Sequence, residues 1–382
     1  MATPSTPAHS STSTTSPEPA RTSSRQATTA EERAERSAAK LAEAHEMLAA
    51  EVVAIQSGEQ WRAYLALQAR LHRYSANNAL LIAAQHARAY SAGLVSAPEP
   101  SVVAGFNTWR ALGRVVERGQ HGYAVLAPLR YDRRVATDSS GEVRPLRHSE
   151  SAAPGERVET RQVLAGFRIE HVFDLSQTSG DELALPPLPR VLVGAAPVGL
   201  GASVVGLIEA RGFHLETAPD AAAIDGANGQ TDWQSRTVTV RADMDEAAIV
   251  KTLLHETAHV LLHEGPPGRY LPRAVKEVEA ESVAFVVAAA HDMATGDYSF
   301  AYVATWAGND GLRAVQATQQ RVARAAREII EQSPAPHLTG GTVPGAERAI
   351  AEAQARRAER ARAVEAGHGH EVAQTATPAV EL

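Results

Sequence analysis

The sequence predicts a two-domain α+β protein. Segments with apolar residues at helical spacing and segments with alternating apolar residues occur in both halves of the chain, which is the pattern of this fold class. Of the 382 residues, 44% are hydrophobic and 21% are charged, as expected of a soluble globular protein. A proline-rich segment, residues 179–190, separates the two halves and is interpreted as a linker.

The linker and the two polar ends define the predicted organisation. Residues 1–29 are rich in Ser, Thr, Pro and Ala and carry too little apolar surface to form a core, which predicts a disordered tail. The first domain is expected over residues 30–178 and the second over residues 191–333. Residues 334–382 have Pro and Gly breaks and then an Ala/Arg/Glu-rich stretch, which predicts a polar C-terminal tail.

Three helices are expected at the start of the first domain. Residues 30–57 combine strong helix formers with apolar positions at helical spacing, and residues 59–74 continue the pattern. The third helix is predicted over residues 75–89, with Ser75 as its N-cap.

Strand character follows in the first domain. β-Forming side chains alternate or cluster over residues 122–131 and 162–178, which indicates strands. Residues 135–160 are polar and contain Gly and Pro, so we expect a loop or insertion there.

The second domain is predicted to be mainly helical. Helices are predicted over residues 197–213, 244–265, 274–293 and 311–333. Apolar and polar residues alternate over residues 237–243, which predicts a strand. The helix over residues 244–265 ends at glycine and proline residues, which do not continue a helix.

Composition excludes several kinds of protein. The chain has no cysteine, which rules out disulfides, thiolate metal sites and a cysteine nucleophile, so any metal must be held by histidine and carboxylate. No apolar run approaches the roughly 18 residues that a membrane-spanning helix needs. The N-terminal segment lacks the apolar core of a signal peptide, and we expect a cytoplasmic protein without membrane contact.

The stretch HETAH lies within the helix predicted over residues 244–265. His255 and His259 are four residues apart, so both imidazoles project from one helix face and can bind one ion. Glu256 points about 100° away from His255, which places it beside such an ion rather than on it. The flanking leucines and valines predict a largely buried helix, in which unpartnered histidines would be costly. This arrangement is typical of a metallohydrolase, although a satisfied histidine pair is the alternative.

A third ligand is sought in the next predicted helix, because a catalytic zinc usually has three protein ligands. Glu277 and Glu281 lie on one face of that helix and Glu279 points elsewhere. We take Glu277 as the ligand and Glu281 as an acceptor that orients a ligand histidine. His263, one turn beyond His259, is a rival ligand, and we favour a supporting or helix-end position for it.

The segment LLHETAHVLLHEG, followed by EVEAESVAFVV, resembles the gluzincin-type metallopeptidases of the ImmA/IrrE kind. The resemblance implies a zincin-like fold for the second domain. It implies Zn²⁺ on His255, His259 and Glu277, with Glu256 as the general base and Glu281 behind the ligands.

The same resemblance implies two further features. The strand over residues 237–243 would be the edge strand that pairs with an extended peptide substrate. Tyr298 or Tyr302 could donate a hydrogen bond to the oxyanion, with core packing as the more common use of such aromatics. Tyr302 is taken as the candidate catalytic tyrosine.

Charge is distributed unevenly along a chain whose net charge is −7. Residues 61–134 contain ten arginines, no lysine, three acidic residues and eight aromatics. Residues 243–300 contain ten acidic residues and four basic ones. Arginines that follow phosphates and aromatics that stack on bases would suit single-stranded nucleic acid, and a basic surface over an ordinary aromatic core is the alternative.

The strings YSANNALLIAAQ, VAGFNTWRALGRVVERGQHGYAVLAP and GFRIEHVFDLSQT resemble the N-terminal domain of ArdC-type antirestriction proteins. That resemblance covers roughly residues 58–310 and implies an N-terminal mixed α/β domain that binds single-stranded DNA, joined to a zincin-like peptidase. The implied DNA contacts are Tyr74, Asn77, Asn78, Trp109, Arg114 and Arg118.

The function expected from these features is a zinc-dependent metallopeptidase that a single-stranded DNA-binding domain delivers to a protein substrate. One alternative is a DNA-binding antirestriction decoy or regulator whose zinc is only structural. Another is a sensor peptidase that cleaves a repressor when DNA is damaged. The protein substrate is not encoded in any motif of the sequence.

Overall fold

The structure is a computed structural model that describes residues 30–183, 194–295 and 311–359, apart from 56, 148–149, 337, 344–345 and 357. Helices and strands are mixed along the chain, so the predicted α+β class is confirmed. The predicted tail over residues 1–29, most of the predicted linker, and Tyr302 lie outside the described residues. None of the helices in the described part of the chain has both the length and the apolar character needed to cross a bilayer.

Three helices open the described chain: α1 (Ala30–Val53), α2 (Gly58–Arg70) and α3 (Ala76–Ser91). Ser57 caps α2, because its hydroxyl accepts from the amide of Gln60 while the Gln60 side chain accepts from the amide of Ser57. Ser75 caps α3 with a single hydrogen bond, in which its hydroxyl accepts from the amide of Asn78, as the sequence predicted. Serine suits these positions because its oxygen satisfies an amide that the first helical turn leaves free.

The remaining elements of the N-terminal part are β1 (Val103–Gly105), α4 (Phe106–Ala111), β2 (Arg114–Val116), β3 (Tyr123–Thr137), β4 (Val143–Pro145), β5 (Arg157–Asp174) and β6 (Thr178–Gly180). An antiparallel sheet has the strand order β1-β5-β3-β4, and β2 pairs separately with β6.

The expectation of a loop over residues 135–160 was wrong at both ends of that range. Strands β3 and β5 pair from Tyr123 opposite Val172 as far as Thr137 opposite Arg157, and β4 adds a short third strand. Most residues at the outer end of the hairpin are exposed on both faces. The one-sided apolar alternation that marks a strand is therefore missing from the sequence.

The C-terminal part consists of α5 (Leu200–Ala210), β7 (His214–Ala218), β8 (Gly229–Asp232), β9 (Thr237–Arg241), α6 (Glu246–His263), α7 (Arg273–Ala290) and α8 (Gly311–Gln332). Strand β9 lies between β7, which is parallel to it, and β8, which is antiparallel. The implied edge strand over residues 237–243 is therefore the centre of this sheet. The two edges are β7 and β8. Strand β8, which contacts α6, is short and polar, and its composition did not identify it as a strand.

The N-terminal helices and the C-terminal helices share one hydrophobic core. Trp61 of α2 is fully buried, and its Nε1 donates to the buried Ser282 Oγ of α7 at 2.9 Å. On α8, Arg327 donates to the carbonyl oxygen of His72 at 3.0 Å. Helices α7 and α8 therefore contact the N-terminal part directly.

Part of the segment predicted as a polar tail also packs on the N-terminal part. The carbonyl oxygen of Gly341 accepts from the amide of Val103 at 2.8 Å, and Val343 is buried in a cluster with Trp109. Gly340 and Gly341 have φ angles of 69° and 78°, in the left-handed region that favours glycine. This paired glycine turn brings the chain back across the first domain.

Candidate metal centre

Helix α6 presents the histidines of the HETAH motif on one face. The helix begins after Asp245, whose carboxylate accepts from the amide of Ala248 at 2.8 Å. Leu253 and Thr257 are buried on the opposite side of the helix, which fixes its rotation. His255 and His259 consequently face helix α7 and the sheet edge.

Three potential ligand atoms converge between α6 and α7. The two histidine Nε2 atoms are 3.1 Å apart, and Glu277 Oε2 lies 3.4 Å from that of His255 and 3.8 Å from that of His259. Metal–ligand bonds of about 2.0–2.1 Å in tetrahedral geometry separate ligands by about 3.3 Å. The sequence named these same three residues, and within the described part of the chain they form the group suited to a metal ion.

The donor set fits a divalent cation. Two imidazole nitrogens directed at each other at 3.1 Å repel unless a proton or a cation lies between them. Burial lowers the pKa of His255, but hydrogen bonds to Glu277 and Glu281 outweigh it and raise the pKa to about 9. Hydrogen bonds from His255 and His259 hold the pKa of Glu277 well below its usual range. The carboxylates thus create the negative potential that a divalent ion requires.

Glu281 lies where the sequence analysis expected it. Its Oε2 is 3.3 Å from Nδ1 of His255, on the side of the ring away from His259. A proton on Nδ1 donated to this carboxylate leaves Nε2 as the free ligand atom. Glu281 therefore fixes the tautomer of His255 that a metal needs.

His259 is supported by a chain of buried polar groups. Its Nδ1 lies 2.9 Å from Nδ1 of His263, whose Nε2 lies 3.1 Å from Glu279 Oε2. The other oxygen of Glu279 accepts from Thr318 Oγ1 at 2.9 Å and from Arg321 Nε at 2.8 Å. Both ring nitrogens of His263 thus have partners, one of them His259. This agrees with the interpretation that His263 stands behind the ligands and is not a ligand itself.

Glu279 is the residue that sequence reasoning missed. It was described only as pointing away from Glu277, yet it is fully buried and closes the chain behind His259. A usable signal was present, because Val283 and Val286 lie four and seven residues further on and continue its helix face into the core. An acidic residue in register with a buried valine stripe indicates a buried partner.

Glu256 is buried beside the ligand atoms. It is 5% exposed, and its Oε2 accepts from Thr231 Oγ1 of β8 at 2.7 Å. Gly229 of β8 also approaches closely, since a Cβ at that position would lie 3.1 Å from Glu256 Cγ. The contact between Thr231 and Glu256 was not predicted, because it depends on how the strands pair.

A cleft of about 390 Å³ opens beside these groups. Its lining includes Asn228, Gly229, Lys251, Thr252, His255 and Glu256. Trp233 lies at the same edge, with its ring centroid 6.3 Å from that of His259. Within the described residues β8 is paired on one side only, so its other edge is free to pair with an extended chain.

Two of the predicted DNA contacts have structural positions instead. Trp109 is fully buried, and its Nε1 donates to the carbonyl oxygen of Phe173 at 2.9 Å, so its ring offers no face for a base. The Asn78 side chain both donates to and accepts from the backbone of Leu126, at 3.1 and 2.8 Å. These bonds attach α3 to β3.

The other predicted contacts differ in exposure. Tyr74 is half-buried and its hydroxyl donates to the carbonyl oxygen of Val103 at 3.1 Å. Arg114 donates to Thr178 and to backbone oxygens of the β6 segment, which ties β2 to β6. Asn77 is half-buried and Arg118 is exposed. Tyr298 and Tyr302 lie outside the described residues.

Fold and site together define a mixed α+β protein with a candidate centre for a divalent metal. Residues 31–173 match the family model of the N-terminal domain of anti-restriction factor ArdC. This part of the chain is similar to the ArdC N-terminal domain, and the resemblance to ArdC-type antirestriction proteins predicted from the sequence is confirmed.

Two solved structures resemble the chain: the Mn(II)-bound and the metal-free antirestriction ArdC protein from the R388 plasmid. Their TM-scores are 0.37 and 0.36, with 17% and 16% sequence identity. Each likeness covers 68% of this chain, and 88% and 86% of the respective ArdC chains. A comparison with curated proteins found no match.

Proposed function

We propose that this chain is a metal-dependent peptidase of the zincin kind whose N-terminal ArdC domain binds single-stranded DNA. The observation that carries the peptidase proposal is the convergence of His255, His259 and Glu277 next to a buried Glu256. Antirestriction is the proposed biological setting, because the N-terminal domain matches the family of an anti-restriction factor.

His255, His259 and Glu277 would hold the ion, and Zn²⁺ is the metal we propose for this ligand set. When bound, such a metal polarises a substrate carbonyl and makes water more acidic. Two histidines and a carboxylate also accept manganese or iron, so the metal identity requires its own measurement.

The chain itself supplies proton transfer and orientation. Glu256 is held by Thr231 at the edge of the cleft. In the proposed mechanism its carboxylate would accept a proton from the attacking water and return it to the leaving amine. Strand β8 borders the same cleft and offers unpaired backbone groups to an extended polypeptide, which is the proposed substrate.

The test compares the wild-type protein with Glu256→Gln. Both are purified after metal-supplemented expression, analysed for bound metal, and incubated with unfolded casein in the presence and absence of oligothymidylate. We expect equal metal content and a loss of cleavage of at least about 100-fold in the variant. Cleavage at the wild-type rate by Glu256→Gln would show that the proposed mechanism is wrong.

The same variant separates the peptidase from a non-catalytic antirestriction protein. Wild type and Glu256→Gln are expressed in cells that carry a restriction system, and plasmid survival is compared. We expect protection to fall with the loss of cleavage. Full protection by Glu256→Gln would assign protection to binding alone and the metal to a structural role.

A further inference from the structure

The middle section of the β3–β5 hairpin is uncovered on both faces, whereas Val135 and Ala136 at its outer end are buried next to β4. Residues 128–134 are all exposed, and residues 160–168 are exposed apart from two half-buried positions. We define these two segments as the basic ribbon. They pair in antiparallel register beyond a bulge next to Arg130, and neither face packs on the core.

The basic ribbon differs from the rest of the chain in charge. It contains five arginines and one acidic residue, Asp132, while the whole chain has a net charge of −7. Arg161 and Arg168 have ion pairs with Glu159 and Glu170 at the margins of the ribbon. The other three arginines of the ribbon are Arg130, Arg133 and Arg134, and none of them has an ion pair within the described residues.

One face of the ribbon carries a pairing that does not favour stability. Arg133 lies directly opposite Arg161, and like charges at opposed positions destabilise an antiparallel pair. Tyr131, two residues before Arg133 on the same face, is 46% exposed. Leu164 and Phe167 are also exposed, at 53% and 43%. Neither two opposed arginines nor aromatic rings exposed to water stabilise a two-stranded ribbon. These features therefore indicate a binding surface.

We infer that the basic ribbon is the surface on which single-stranded nucleic acid binds, with Arg133 and Arg161 contacting phosphates and Tyr131 stacking on a base. This inference rests on the proposed function, and it assigns the nucleic-acid contacts to residues other than those predicted from the sequence. Arginine next to an exposed aromatic suits a single strand, because arginine pairs with phosphate and the ring accepts any base. An acidic protein would match the charge but would not require the exposed rings.

Arg133→Glu tests the inference with little risk to the fold. The substituted carboxylate would face Arg161 across the strands and replace a repulsive pair with an attractive one, so the melting temperature should stay the same or rise. Binding to a labelled oligothymidylate of about 30 nucleotides is followed by fluorescence anisotropy from about 50 to 200 mM salt. We expect affinity about tenfold weaker at low salt, with the slope of log affinity against log salt reduced by about 1.

Two further variants complete the experiment. Arg88→Glu makes the same charge change at an exposed position of α3, away from the ribbon, and should bind within about twofold of wild type. Tyr131→Ala should weaken binding by at least about fivefold with little change in the salt slope, because stacking and not charge is lost.

The outcomes separate the two proposals. Binding by wild type that Arg133→Glu and Tyr131→Ala leave unchanged would overturn the ribbon assignment and keep nucleic-acid binding. A loss in Arg88→Glu equal to that in Arg133→Glu would also overturn it, since net charge alone would then explain the effect. Absence of oligothymidylate binding by wild type would overturn the DNA-binding part of the proposed function together with the ribbon.

Discussion

His263 and Glu279 form a hydrogen-bonded pair that is closed to solvent, with Nε2 and Oε2 3.1 Å apart and both side chains 0% exposed. Burial lowers the pKa of His263 and by itself raises that of Glu279. Hydrogen bonds from His263 and Arg321 outweigh burial at Glu279 and lower its pKa, so Glu279 is a carboxylate and accepts the His263 proton. Nδ1 of His263 is then the acceptor for His259, whose Nε2 is left free to bind a metal.

Glu279→Gln is expected to weaken metal binding without removing a ligand. The amide reproduces the shape but not the charge that fixes the His263 proton, so affinity for Zn²⁺ should fall by about 10- to 100-fold. Loss of the buried carboxylate opposite Arg321 should also lower the free energy of unfolding by about 3 kcal/mol. Competition with a chelating indicator measures the first effect and urea unfolding the second.

Glu328→Gln is the control for Glu279→Gln. Glu328 lies on α8, as Arg321 does, and its substitution removes a partly exposed ion pair with Arg211. It should change unfolding by less than about 1 kcal/mol and leave metal affinity unaltered. Wild-type metal affinity in Glu279→Gln would show that the hydrogen bonds through His263 and Glu279 do not orient His259.

Glu277→Ala is expected to remove the metal while keeping the fold. The Glu277 side chain is 47% exposed, so its loss leaves no buried cavity. Elemental analysis should find about one metal per wild-type chain and far less in the variant. At a metal concentration of about 1,000 times Kd, the wild type should gain about 4 kcal/mol of stability over its chelated form, and the variant almost none.

An exposed acid on α5 gives the matched control, since Glu209→Ala makes the same charge change away from the centre. It should retain metal and the metal-dependent rise in melting temperature. If Glu277→Ala retained its metal, the third ligand would have to be another acidic residue of α7 or His263.

Thr231→Val is expected to impair Glu256 without altering metal content. Valine has the size of threonine but lacks the hydroxyl that donates to Glu256 Oε2 at 2.7 Å. The freed carboxylate should lose its preferred position, and casein cleavage at saturating substrate should fall by about tenfold. Thr239→Val in the adjacent strand β9 is the control and should cleave at nearly the wild-type rate. Equal rates in the two variants would remove Thr231 from the mechanism.

Gly341→Ala is expected to destabilise the protein more than Gly93→Ala. Both glycines have left-handed φ angles, 78° and 70°. A Cβ at Gly93 meets nothing within 4 Å, whereas one at Gly341 runs into the Leu71 side chain. Backbone strain should cost about 1–2 kcal/mol in each variant, and overpacking should add about 1–3 kcal/mol at Gly341. Chemical unfolding measures the difference, and equal costs would mean that the returning segment is not packed against the first domain.

The helices and the candidate metal ligands were accessible from the sequence because both depend on local spacing. Ser75 lies before a run of helix formers and caps α3, as predicted. His255 and His259 are one turn apart, so any helix over that stretch brings them together. The same face rule applied to the next helix selected Glu277 and Glu281 together, and the family resemblance implied Glu277 as the ligand.

The remaining features depend on contacts between residues far apart in the chain. Strand order decided that β9 is central, that β8 is the edge strand beside the cleft, and that Thr231 holds Glu256. The valine stripe of α7 indicated that Glu279 is buried, but only the packing of α7 against α6 and α8 decided that its partners are His263 and Arg321. The complete burial of Trp109 also depends on such contacts.

The sequence by itself determined the helical registers, the α+β class and the residues able to bind a metal, because each follows from the periodicity of neighbouring side chains. Only the tertiary structure decided which strand borders the cleft, which acid supports a ligand, and which arginines are exposed. Hydrogen-bond partners and burial are set by segments that the fold brings together, and local spacing carries no record of them.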